Sequence, residues 1–179
     1  KETHILSFNS TDPSGFSTNF PVKTMEDLKG RKFRTASGPV LEFFQSLGVS
    51  IVSMPIPDCY QALEKGVIEG LALAWEGQEN ISAQEVIKYG YDVKTAAGGF
   101  YLAMNQQVWD SLPEDIKQVF NEECGLKAAL QMAKAWDETN PATLEKFKNA
   151  GVKIETIANE ELARWREKAD IVNKAWAEN

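Results

Sequence analysis

The sequence is poor in the residues from which most reactive centres are built. Its 179 residues hold one histidine, His4, and two cysteines, Cys59 and Cys124, which stand far apart and outside any CxxC pair. A zinc site of the usual Cys/His type would have to gather every ligand from a distant place, and a Ser-His-Asp triad would have to use a histidine beside the chain start. No metal, cofactor or catalytic residue is therefore expected. The two thiols read as free and buried, and sequence leaves a disulfide between them open. Neither GxGxxG nor GxxxxGK occurs, so the usual cradles for nucleotide phosphates are missing. No run approaches the roughly 18 apolar residues of a membrane span. The opening KETHILSF lacks the charged start and apolar stretch of a signal peptide, so any targeting segment is expected to have been removed or to lie outside these residues. With 19 basic against 26 acidic side chains and no Lys/Arg-dense stretch, the chain carries a net charge of -7, which argues against nucleic acid as a partner.

What is present is the material of a globular core: 43% of the residues are hydrophobic and 25% charged, too apolar a mixture for disorder. Ile5–Phe8 reads as a strand, followed by turn formers from Ser10 to Gly15. Thr24–Gly30 reads as a one-turn helix, with a capping Thr, early acidic residues and a closing Gly. Strand candidates Lys32–Thr35, Val49–Met54 and Leu71–Trp75 alternate with helical stretches from Val40 to Leu47 and from Pro57 to Gly66. Strand and helix at short intervals predict a parallel sheet with right-handed crossovers. Ala96–Met104 is a further strand candidate. Beyond Ser111, apolar residues from Ile116 to Trp136 recur at helical spacing and predict one long amphipathic helix. Asn140-Pro141 is expected to start another helix ending at Gly151, and Asn159 a last one after a short strand at Val152–Ile154. Trp136, Trp165 and Trp176 read as core residues. With no linker, the whole reads as one α/β unit with added helices, beginning and ending as a fragment does.

Arg34 is the most informative charge. It stands at the carboxyl end of a predicted parallel strand, where open α/β sheets place their ligands, and it precedes a turn whose amides open a helix. A guanidinium can hold a carboxylate through two parallel hydrogen bonds, with the amides around Ser37, Gly38 and Val40 adding partial positive charge. Structural ion pairing is the competing role. Glu76 and Glu79 stand where carboxylates favour a helix dipole without any catalytic duty.

The residues Asp27-Leu28-Lys29-Gly30-Arg31-Lys32-Phe33-Arg34, Ser37-Gly38-Pro39, Leu47-Gly48, Met54-Pro55 and the run Tyr60 to Gly70 follow one another in a familiar order, continued by Met104-Asn105 and Trp109 to Asp115. In this the chain resembles the DctP-type solute-binding proteins of tripartite ATP-independent periplasmic (TRAP) transporters. The resemblance implies an α/β, periplasmic-binding-protein-like fold. Residues 1–179 would then be the second lobe and C-terminal helices, most of the first lobe being absent. It implies a periplasmic, non-enzymatic protein that captures a small organic acid for the TRAP membrane permease subunits. Arg34 falls on the family arginine that pairs with the ligand carboxylate, and Ile56 on a position that is often aromatic. In sialic-acid-binding members the strand after Gly70 carries a Gln-Glu-Asn run, replaced here by Leu71-Ala72-Leu73. A second arginine that precedes Arg34 in several members is missing, with Ser14 nearest its place.

Those departures turn the expectation away from sialic acid and from a doubly clamped dicarboxylate. Ile56, Leu73 and Trp75 around one arginine favour a monocarboxylate with an apolar or aromatic body. For Trp75 a ligand wall and core packing weigh equally. Two alternatives stay open: a small α/β enzyme using Arg34 as substrate clamp, with an acid or base among Glu76 and the tyrosines, and a periplasmic sensor. A chain lacking its first lobe is also expected to self-associate.

Overall fold

The computed structural model describes residues 2–11 and 13–178; Asp12, within the predicted turn, lies outside them, as do the side chains of Ser14 and Ala96. The chain forms two compact units, Lys1–Pro13 with Ala97–Pro141, and Ser14–Ala96 with Ala142–Asn179. The single unit read from the sequence is thus divided, and the crossings fall at a strand end, beside another strand and inside a helix, where no linker composition marks them.

In the smaller unit, β1 (Thr3–Ser10) pairs antiparallel with a strand, β7 (Gly99–Asn105), that returns late in the chain. Asn105 caps the next helix, α4 (Gln106–Ser111), by accepting from the Gln107 and Val108 amides. The long helix expected beyond it is two, α5 (Glu114–Glu123) and α6 (Gly125–Asn149), because Gly125 takes a left-handed φ of 61° that stops the first. The break expected at Asn140-Pro141 does not occur, and α6 runs through Pro141. Beyond it, Thr143 and Phe147 are buried in the larger unit, so packing holds the second half in line despite the missing amide.

The larger unit is built on a six-stranded mixed sheet of order β4-β3-β5-β2-β6-β8. As predicted, β3 (Lys32–Thr35) lies parallel to β4 (Ser50–Ile51) and β5 (Gly70–Ala72). Two strands unread in the sequence complete it: β2 (Ser14–Thr18) runs antiparallel to β5 and to β6 (Tyr89–Ala96), which pairs in parallel with β8 (Lys153–Glu155). The third predicted strand ends at Ala72, and Trp75 opens α3 (Trp75–Glu79) instead.

On one face, α1 (Pro39–Ser46) and α7 (Asn159–Ala177) cover a core of Phe16, Phe33, Phe44, Tyr91 and Trp165. On the other, Cys59 and Leu63 of α2 (Cys59–Glu64) pack with Leu71, Trp75, Ile87 and Phe147. Each large side chain taken fully from water contributes about 1.5 to 3 kcal/mol, which makes these layers the main source of stability. Trp165 is a core residue as expected, whereas Trp176 is 54% exposed. A short 3-10 turn, Met25–Leu28, is tied to α7 through Glu161, which accepts from the Met25 amide at 2.7 Å and the Trp165 indole at 2.9 Å. Among the described residues no helix is long and apolar enough to cross a membrane.

Candidate ligand-binding site

Because β3, β4 and β5 are parallel, their carboxyl ends share one edge of the sheet, and Arg34 stands one residue from the end of β3. Strand alternation decides which way it faces. Phe33 belongs to the core under α1 and α7, so Arg34 points to the opposite face, the α2 side. There its Nε donates to the Met54 carbonyl at 3.4 Å. Its Nη1 is buried without a hydrogen-bond partner in the protein. A guanidinium tethered at one nitrogen, with a second nitrogen shielded from water and unpaired, is a costly arrangement that an anion would relieve.

The neighbours of Arg34 come from the chain that follows. Pro55 holds Met54 out of helical geometry, which leaves its carbonyl available to the arginine. Cys59, at the start of α2, is fully buried and directs its Sγ to the Pro55 carbonyl at 3.6 Å. Burial pushes its thiol pKa up, while the nearby Arg34 charge opposes the shift and Asp58 adds to it. Ile56 opens the 3-10 turn after Pro55 and is 36% exposed. Leu73 is half-buried and packs with Met54 against the α2-side core.

Ser37 lies exposed in the β3–α1 turn, where Gly38 adopts a φ of 78° to start the helix. Trp75 is only 1% exposed, with its ring edge-on to Phe147 at 5.3 Å. Of the two roles weighed for it, packing is the one its ring performs in this structure; its indole N–H is buried and unpaired.

The structure therefore gathers Arg34, Leu73 and Trp75 on one side of the sheet and leaves Ile56 and Ser37 exposed on the loops beyond its strands. Reasoning from sequence missed the Met54 carbonyl and Cys59, for which the Met-Pro pair was the only local signal. His4, in the smaller unit, stacks on Trp109 at 3.8 Å and is a packing residue. Both cysteines are free, Cys59 buried and Cys124 partly so. Among the described residues no cluster of His, Cys, Asp or Glu is arranged to hold a metal.

A mixed sheet with helices on both faces and an under-satisfied arginine at its carboxyl edge defines a lobe of the periplasmic-binding-protein kind. All of residues 1–179 match DctP, the bacterial extracellular solute-binding protein family 7, and the chain belongs to that family. Among its relatives, the C4-dicarboxylate-binding periplasmic protein DctP of Rhodobacter capsulatus is 30% identical over 171 residues, covering 90% of this chain and 49% of that protein. A TRAP periplasmic solute-binding protein from Desulfovibrio salexigens superposes with a TM-score of 0.83 at 30% identity, over 99% of this chain and 55% of its own. Another from Rhodoferax ferrireducens, solved with copurified benzoate, gives a TM-score of 0.90 at 28% identity over 98% of this chain and 56% of its own. The chain spans about half the length of the curated relatives it matches.

Proposed function

We propose that this chain is the second lobe, with C-terminal helices, of an extracytoplasmic receptor that captures a small organic acid and delivers it to the membrane components of a TRAP transporter. The observation that carries this reading is the Arg34 guanidinium, tethered by Met54 and buried at Nη1 without a partner. Arg34 takes the ligand carboxylate, with Ser37 and the turn amides beside it. Ile56 and Leu73 provide apolar walls, and Trp75 backs them from the core with an unpaired indole N–H. Closure follows from a ligand that contacts both lobes only when they meet. One arginine among apolar neighbours favours a monocarboxylate with an apolar or aromatic body. The benzoate held by the Rhodoferax relative agrees with this, and the dicarboxylate named for the Rhodobacter relative is the competing class. The relatives are transport receptors, and the chain is read as a receptor and not as an enzyme.

Calorimetry on a two-lobed protein carrying this chain, with benzoate and succinate as probes, tests the assignment. Benzoate is expected to bind more tightly. Arg34→Lys keeps the charge but loses the planar fork, and should cost on the order of 2 to 5 kcal/mol, tens- to thousands-fold in Kd, without unfolding the protein. Binding of the preferred acid within about threefold of wild type would overturn the clamp.

A further inference from the structure

The face of the larger sheet opposite Arg34 holds a cavity of about 280 Å³ between α1, α7 and the end of β6. It shares no lining residue with the Arg34 group, since Phe33 and the core beneath it stand between. Its floor is apolar: Phe43, Leu162, Trp165 and Ala169. Its wall is an irregularity in β6. Ser14 pairs with Ala96 and Phe16 with Tyr91, so two steps along β2 (16 − 14) face five along β6 (96 − 91), and three residues of β6 are extra.

The excursion Asp92–Thr95 takes up that surplus and carries Lys94 at a left-handed φ of 50°. A long side chain in that conformation persists only where the surroundings enforce it, a condition met often at ligand clamps. Three charged groups face the same space. Asp92 has an oxygen, Oδ1, that is buried and accepts no hydrogen bond, with the Lys94 ammonium 3.6 Å from it. Arg166, on the α7 side, makes no ion pair among the described residues.

An apolar floor of single-ring size, a cation on one side and, on the other, a carboxylate oxygen that is ion-paired to Lys94 but accepts no hydrogen bond form a complementary set. We propose that this cavity is a second ligand site, for a small organic acid whose apolar body lies on Phe43, Leu162 and Trp165, whose carboxylate meets Arg166, and whose hydroxyl donates to Asp92. Its volume of about 280 Å³ falls just below the usual range for ligand pockets, which limits the occupant to about one ring. The site is independent of the Arg34 clamp and does not rest on the transport reading.

The test is a titration of the 179-residue chain with 3-(4-hydroxyphenyl)propionate, followed by amide chemical shifts in two-dimensional NMR. Saturable shifts are expected at Val93–Thr95 and Leu162–Ala169. Arg166→Gln, an exposed change that spares the fold, should weaken them about tenfold, and 3-phenylpropionate, lacking the hydroxyl, should bind more weakly. Ala169→Phe fills the cavity and should abolish them, whereas Arg34→Lys should leave them unchanged. No saturable shift at these amides up to about 10 mM, or shifts that Arg166→Gln leaves intact or that Arg34→Lys removes, would overturn the proposal.

Discussion

Arg34 shows how far one residue can be read from local pattern. Its place at a strand mouth is legible because Gly30 and the Ser37-Gly38-Pro39 turn bracket a short β-branched and aromatic stretch. Its tether is not, because a backbone carbonyl leaves no mark on the identity of Met54. Trp75 is ambiguous for a related reason: a large ring after an apolar run reads the same whether it faces ligand or core, and only the Phe147 ring, far along the chain, decides its packing. Two glycines are equally silent until the strands are paired. A Cβ on Gly70 would lie 2.3 Å from the Phe33 ring, and one on Gly15 would lie 1.6 Å from the Tyr91 carbonyl oxygen. The first neighbour is a side chain and the second is backbone in a paired strand, so the second cannot give. Gly15→Ala is expected to cost roughly 3 kcal/mol or more and Gly70→Ala about 1 to 3, both measured by denaturant unfolding. Equal or reversed costs would mean that β2 and β6 are not held as tightly as the pairing indicates.

At the scale of elements, β3, α1 and the last helix stand close to where their caps and turn residues predict. The failures share a cause. Strand β2 is not marked in the sequence because it sits beside turn formers and Gly15–Thr18 is buried throughout, so its polar residues carry no alternation, and β6 is its partner. Between elements, the ion pairs around α7 give a pH prediction. Hydrogen bonds from Arg164, aided by a backbone amide, hold the Glu26 carboxyl at a pKa of about 2, below its ordinary 4.5. Burial pushes Glu161 up, but hydrogen bonds from the Met25 amide, the Trp165 indole and Arg164 outweigh it and its pKa falls. A depressed carboxylate pKa stabilises the fold above the unfolded value, and that stability is lost as pH falls through the folded one. Tm should therefore drop between about pH 4.5 and pH 2. In Arg164→Met the drop should be shallower, because Glu26 returns toward its ordinary value. A Tm profile of the same slope in both proteins would refute the linkage. Within α6, Pro141→Ala restores an amide to an otherwise continuous helix and should raise stability by about 1 kcal/mol in thermal unfolding. A loss would show that the ring packs against something the helix needs.

For the whole molecule, the division into two units is the feature least legible in sequence. Its crossings lie at Pro13, Ala96 and Pro141, next to strands or within a helix, so no Gly/Ser-rich linker announces them. Among the described residues the smaller unit pairs two strands, and its surface shows the consequence. Phe8, Phe100, Tyr101, Leu126 and Leu130 are between 53% and 74% exposed, although the sequence spacing gives the helical ones an apolar stripe like any core-facing helix. Exposed apolar side chains in this number on a lone chain favour association, since each large one removed from water gains about 1.5 to 3 kcal/mol. Expressed as these 179 residues, the chain is expected to self-associate through the β1–β7 face and the stripe on α6. Light scattering should show the apparent mass rising with concentration, and Leu126→Lys with Leu130→Lys, both exposed and outside the core, should shift it back toward monomer without lowering Tm. A monomer at every concentration up to about 100 µM, in the range where modest apolar contacts already register, would show that this face stays solvated on its own.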